Sequence, residues 1–272
     1  MTKSGKVLVY ALLILVLLGT LFPIWWMFAT SLESPRRAFS FPGALWPTGT
    51  LHNYVTAWAA GPWLHYFANS AGIGLATTGL VLITSLLAAY ALVFLPHRAS
   101  GIIFGIILAT MMVPFYSIII PDYLIVKDLG WLNTYTAQVI PFAANGFAVF
   151  LLMQFMRGLP RELWDAARMD GIAPWGYLWR IVVPNIKPVL ATVSIYVFLL
   201  SWNAFLWPLI VTSGPQVQPI QVGLANLLST ANGTDWTELS AAAAFTAIPV
   251  LILYAFAQRS IVESVSRTGI KG

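Results

Sequence analysis

Nine acidic side chains, three histidines and no cysteine are the whole stock of groups in this 272-residue sequence for acid–base, metal or thiol chemistry. The acids stand at Glu33, Asp122, Asp128, Glu162, Asp165, Asp170, Asp235, Glu238 and Glu263, all in polar links or at helix ends rather than inside an apolar run. An enzyme or a proton-coupled carrier working in the membrane needs such a group in mid-span. His52, His65 and His97 also fall in links, and none has a second histidine four residues on to share a metal. No G-x-x-x-x-G-K-[ST] phosphate loop occurs; the closing Thr268-Gly269-Ile270-Lys271-Gly272 has the residue types without the spacing. The chain is therefore expected to be no enzyme and to bind no metal or cofactor itself.

Charge is dense in one place instead. The stretch Met156–Pro188, MRGLPRELWDAARMDGIAPWGYLWRIVVPNIKP, holds five of the 14 basic and three of the nine acidic residues. Pro160 suits a first helical turn, Glu162 and Asp165 suit the positive end of a helix dipole, and Gly171 suits a left-handed stop. Leu163, Ala167 and Gly171 fall four apart, so bulk shrinks along that face and another backbone can approach, beside a charged face of Arg161, Asp165 and Arg168. A second helix is expected from Pro174, with Trp175, Leu178, Trp179 and Val182 as its apolar stripe, until Pro184 ends it. Two short helices meeting at Gly171 make a stiff docking segment. An interfacial amphipathic helix with no partner would carry the same local pattern.

The elements around this segment are apolar. Apolar residues make up 59% of the sequence and charged ones 8%, against about a quarter in soluble domains, so the chain is an integral membrane protein. Runs of about 20 apolar residues predict spans at 7–28, 70–94, 101–120, 136–156, 189–211 and 239–257, with a cytoplasmic loop at 157–188. The first run is too long for a signal-peptide core. Pro114 and Pro141 are expected to bend their helices, Gly101-x-x-x-Gly105 to seat a close neighbour, and a small helix is expected at about 222–228. Lys3, Lys6, Arg98, Arg157, Arg161, Arg168, Arg180, Lys187, Arg259, Arg267 and Lys271 fall on one side, and only Arg36, Arg37 and Lys127 on the other. By the positive-inside rule both termini and the docking segment are cytoplasmic. The net charge of +5 does not point to nucleic acid, because the basic residues are scattered at span ends.

The run Asp165-Ala166-Ala167, Gly171 after three residues, and Ile181-Val182-Val183-Pro184 after nine more resembles the EAA signature of ABC-importer membrane subunits. Asp165 stands where that pattern has Glu, and Val183 where it has Leu. The wider chain is similar to the carbohydrate-importer branch, like the maltose permease's smaller membrane component. Asn69-Ser70, Ala88-Ala89-Tyr90-Ala91, Met111-Met112-Val113-Pro114, Leu129-Gly130-Trp131-Leu132-Asn133-Thr134, Trp202-Asn203 and Gly269-Ile270-Lys271-Gly272 carry that likeness. The resemblance implies an all-α membrane protein with the type I ABC importer permease fold, a single six-helix permease domain over residues 1–272, in a prokaryotic inner membrane. Its implied partners are a second homologous permease subunit, two ATP-binding cassette subunits that use ATP and Mg, and an extracytoplasmic solute-binding protein, besides membrane lipid. Asp165, Ala166, Ala167, Arg168, Asp170, Gly171, Pro174 and Trp175 would then couple to the ATPase, and the loop Thr212–Trp236 would reach the binding protein.

For the solute path, sugars need aromatic faces, amides and hydroxyls without fixed charge. Tyr196, Trp202 and Asn203 in span five, Asn145 in span four and Asn69 in span two offer these; Tyr196 and Asn203 lie two turns apart on one face. Trp202 as an interfacial anchor and Asn203 as a helix–helix bond are the alternative. A secondary transporter, or an assembly protein without ATPase coupling, is the alternative for the whole chain.

Overall fold

The structure is a computed structural model that describes residues 3–38, 40, 46–95, 98–229 and 234–268, with side chains given to residue 255. His97 and the closing Gly269-Ile270-Lys271-Gly272 lie outside the described residues, as do the side chains of Lys3, Arg259, Glu263 and Arg267. Among the described residues every regular element is helical. Three helices are each long and apolar enough to cross a membrane: Gly5–Ser31, Trp63–Phe94 and Trp236–Ala255. Three bent pairs pass the same test together: Ser100–Thr110 with Phe115–Asp128 at 97°, Tyr135–Phe142 with Gly146–Arg157 at 43°, and Pro174–Asn185 with Lys187–Trp202 at 80°.

The chain divides into two compact units, the first formed by residues 1–64 and 222–252. Its first helix, Lys3–Ser31, is exposed along its whole apolar length from Lys6 to Trp25, which suits lipid or another apolar helix as its solvent. Past that helix the chain is tied by one buried acid. The Glu33 carboxylate accepts from the Ser34 amide at 2.8 Å and from the Thr48 amide and hydroxyl at 3.2 and 3.0 Å, with the Arg37 Nε at 4.0 Å. The Asn53 amide donates to the carbonyls of Ser31 and Glu33, fixing the helix His52–Ala59 beside this turn. Trp58 and Trp63 both pack edge-on against Phe245.

The second unit, residues 65–221 with 253–272, holds the larger core. Val81, Leu86, Ala89 and Tyr90 pack there with Leu152, Met153 and Met156 and with Tyr177, Leu178, Val182, Val189 and Val193. Several expected elements come out differently. The bend expected at Pro114 is a full break: helix Ser100–Thr110 stops, and Pro114, with no amide hydrogen to give, caps a new helix from Phe115 that lies at 97° to it. The span at 189–211 does stop where the polar triplet Ser201-Trp202-Asn203 interrupts its apolar run: its helix ends at Trp202 and resumes at Leu206. The small helix is Ile220–Asn226, followed by a tight turn Leu227–Ser229. Within this chain a Cβ on Gly101 or Gly105 would meet nothing within 4 Å, whereas one on Gly74 would stand 2.9 Å from the Phe198 ring and one on Gly146 2.9 Å from Met111 and 3.2 Å from the Ile107 carbonyl.

Candidate functional site

The docking segment folds from its own punctuation. Helix Arg161–Met169 follows Pro160, which sits just outside the first turn, and carries Glu162 at its start and Arg168 at its end. Gly171 has φ +73°; its amide bonds the Arg168 carbonyl and the Ile172 amide bonds the Ala167 carbonyl, the paired bonds of a Schellman stop. Pro174 begins the second helix as expected. Pro184 does not end it. The residues Leu178–Val182 form a π-turn, after which Pro184 takes an early position of a fresh turn, where no amide donor is required. The bend falls at Ile186 instead.

That π-turn also splits the expected stripe. Tyr177, Leu178 and Val182 are buried, whereas Trp175 and Trp179 are exposed and lie edge to face at 5.7 Å. Tyr177 packs against Phe94 and Trp164, and the Tyr90 hydroxyl donates to the Pro174 carbonyl at 2.6 Å. These contacts fasten the segment to the end of helix Trp63–Phe94. Ala167 is 3% exposed and packs in the chain's own core, so of the face of Leu163, Ala167 and Gly171 only the middle residue turns inward. The outward face carries Asp165, Ala166, Arg168, Met169, Asp170, Gly171, Pro174 and Trp175.

Deeper in the same unit lies a cavity of about 520 Å³. Phe115, Phe142 and Trp207 form one wall with ring centroids 5.7–6.1 Å apart, and the Trp207 indole donates to the Ala137 carbonyl at 2.9 Å. Ser70, Thr77, Gln138, Asn145, Ser201 and Asn203 supply the polar lining. Asn145 accepts from the Ala148 amide as the cap of helix Gly146–Arg157, and Asn203 donates to the Leu199 carbonyl at the end of helix Lys187–Trp202. The structure thus brings two of the five candidate path residues together.

The other three are placed differently. The Asn69 amide lies within 3.2 Å of the carbonyls of Pro215, Gln216 and Gln218, and the Tyr135 hydroxyl donates to its Oδ1 at 2.7 Å. It clamps the loop before Ile220. Tyr196 packs on Phe147 at 4.9 Å, away from the cavity lining, so Tyr196 and Asn203 do not share one wall. Trp202 is buried against Phe198 and Phe67. Gln138 and Thr77 also line the cavity, although nothing local in the sequence marks them. Among the described residues no three His, Asp or Glu side chains gather as a metal ion requires.

Comparison with known proteins agrees with this architecture. The profile of the family described as "Binding-protein-dependent transport system inner membrane component" matches residues 81–267. The arabinooligosaccharides transport system permease protein AraQ of Halalkalibacterium halodurans is 35% identical over 226 residues, 83% of this chain and 81% of that protein. The sulfoquinovosyl glycerol transport system permease protein SmoH of Agrobacterium fabrum is 33% identical over 273 residues, 99% and 95% of the two chains. A chain in the crystal structure of a bacterial ABC transporter involved in the import of the acidic polysaccharide alginate superposes with a TM-score of 0.84 at 25% identity, covering 95% of this chain and 98% of its own. A helical chain with membrane-length apolar helices, matched over most of its length by these permeases, belongs to the family of inner-membrane components of binding-protein-dependent transport systems.

Proposed function

We propose that this chain is the membrane-spanning subunit of an ATP-driven, binding-protein-dependent importer, forming half of the path for a sugar or sugar-like solute. The relatives named above are permeases of an arabinooligosaccharides and a sulfoquinovosyl glycerol transport system, and the superposing chain comes from a transporter involved in alginate import. In this reading residues 1–272 are one permease domain, the three single helices and three bent pairs make six spans, and both termini face the cytoplasm. A second homologous permease subunit, two ATPase subunits using ATP and Mg, and an extracytoplasmic binding protein complete the complex, embedded in lipid.

The observation that carries the coupling role is the docking segment: fastened inward through Tyr177, Trp164 and Tyr90, and bare outward along Asp165, Ala166, Arg168, Met169, Asp170, Gly171, Pro174 and Trp175. A rigid projection of this kind transmits motion from a partner to the helices behind it. The left-handed Gly171 holds its two helices at their angle, and within this chain a Cβ there meets nothing within 4 Å, so the strain of a substitution lies in the backbone. A non-glycine residue in that region costs roughly 1–2 kcal/mol, more for a β-branched one and less for asparagine. In the assembled complex Gly171→Val is expected to keep ATP hydrolysis while lowering uptake several-fold, and Gly171→Asn to keep both. Full uptake with Gly171→Val would refute the coupling role.

A further inference from the structure

The fifth span carries an arm that crossing the membrane does not require. Lys187–Trp202 and Leu206–Val211 already hold the roughly 20 helical residues of a crossing, yet Pro174–Asn185 precedes them at a bend of 80°. A helix at that angle to one that crosses lies close to the plane of the bilayer. The arm is also two-sided. Tyr177, Leu178, Val182 and Ile186 are at most 1% exposed and pack in the chain's own core. Trp175, Trp179, Arg180, Asn185 and Lys187 are all exposed. The Trp175 and Trp179 rings meet edge to face at 5.7 Å, which orients the Trp179 indole. Neither Arg180 nor Lys187 makes an ion pair among the described residues, and the sequence holds no acid between Asp170 and Asp235. An in-plane helix that buries one side and shows indoles beside unpaired cations on the other has the make-up of an interfacial helix.

We propose that this arm seats on the cytoplasmic leaflet, with the Trp179 ring at headgroup depth and Arg180 and Lys187 on the phosphates of anionic phospholipid. The inference rests on the membrane placement and cytoplasmic side given to this segment above, and adds a lipid partner to its second helix. The surface of that leaflet is negative, and the attraction acts within a Debye length, about 8–10 Å in physiological salt. A guanidinium fork pairs two phosphate oxygens at once, and the ammonium of a lysine adds a point charge. A soluble subunit covering this face would need acids of its own opposite both cations. The leaflet supplies phosphate at the depth where indoles settle. Seated in this way, the arm gives the docking segment a fixed end at the membrane, so that motion at Gly171 passes into the fifth span.

The test is spin-label depth measurement on the cysteine-free chain, without ATPase subunits, in nanodiscs of phosphatidylcholine with or without phosphatidylglycerol. Trp179→Cys carries the label on the arm, and Met169→Cys, 83% exposed on the docking helix, carries the water reference. Both sites are exposed, so neither substitution disturbs the core. A water-soluble nickel chelate is expected to reach the Trp179→Cys label about threefold less than the Met169→Cys label, as interfacial depth requires. Phosphatidylglycerol is expected to widen that difference, an effect lost in the double variant Arg180→Gln with Lys187→Gln. Equal chelate access at the two labels, or a difference that phosphatidylglycerol leaves unchanged, would overturn the proposal. Adding the ATPase subunits with the partner permease is expected to shield Met169→Cys and leave Trp179→Cys as it was; immobilisation of the Trp179→Cys label by the ATPase would assign the face to that subunit instead. ATP-driven uptake by the assembled complex is measured separately. Its absence with the depth pattern intact would sink the importer reading alone, and uptake with equal chelate access would sink this inference alone.

Discussion

Glu33 shows what one side chain does when burial and hydrogen bonding compete. Burial pushes its pKa up, but the amide of Ser34, the hydroxyl and amide of Thr48 and the charge of Arg37 outweigh it and hold the carboxyl below its ordinary value of 4.5. A depressed folded pKa stabilises the fold fully above the unfolded value, and that support is lost as pH falls through the folded one. Hydrogen exchange at the Thr48 amide is therefore expected to stay slow from neutral pH to about 5 and to quicken, relative to an exposed amide, below the ordinary glutamate range. Glu33→Gln should exchange faster at neutral pH and lose that acid dependence. Neighbouring alanines separate in the same way. Ala167→Trp overfills the core at an expected cost of about 1–3 kcal/mol and should reduce assembly, while Ala166→Trp, on the outward face, should assemble normally and impair coupling. Yields of assembled complex beside ATPase-to-uptake ratios decide this.

Among the elements, the loop before Ile220 shows how far apart in sequence its fixings lie. The Asn69 amide, itself oriented by the Tyr135 hydroxyl, holds its carbonyls, Gln138 holds Val217, and the Ser70 hydroxyl accepts from the Ile220 amide at 2.8 Å. Asn69→Ala removes the two N–H donors that three loop carbonyls share, so about 1–3 kcal/mol of local stability is expected to go, read as faster exchange at residues 216–220 with the spans unchanged. None of this was legible in the sequence, because the partners of Asn69 stand some 146–149 residues away. Local punctuation was legible at Gly171, which has positive φ and closes a Schellman stop, and at Pro174, which opens its helix; Gly130 closes a like stop that the sequence reading did not mark. Asn133, in the run that carried the family likeness, also has positive φ and ties the Ser213 amide to its Oδ1. Pro184 misled because a π-turn, drawn by the burial of Tyr177 and Leu178, reset the helix ahead of it. At the cavity, Asn145 and Asn203 were singled out by residue type, whereas Thr77 and Gln138 join the lining only through the fold.

For the whole molecule, the absence of cysteine makes topology directly measurable. Trp58→Cys is expected to react with an impermeant thiol reagent in sealed cells and Arg168→Cys only after lysis, because the basic residues collect on the side of the docking segment. The central claim is that this chain conducts a saccharide only as part of an ATP-driven complex: it has no phosphate loop of its own, and no acid of its sequence was expected in mid-span. Uptake into proteoliposomes tests that most directly, comparing the purified chain alone with the chain assembled with its permease, ATPase and binding-protein partners. No uptake by the chain alone under a proton or sodium gradient, and ATP-dependent uptake by the complex, is the result predicted; gradient-driven uptake by the chain alone would contradict it.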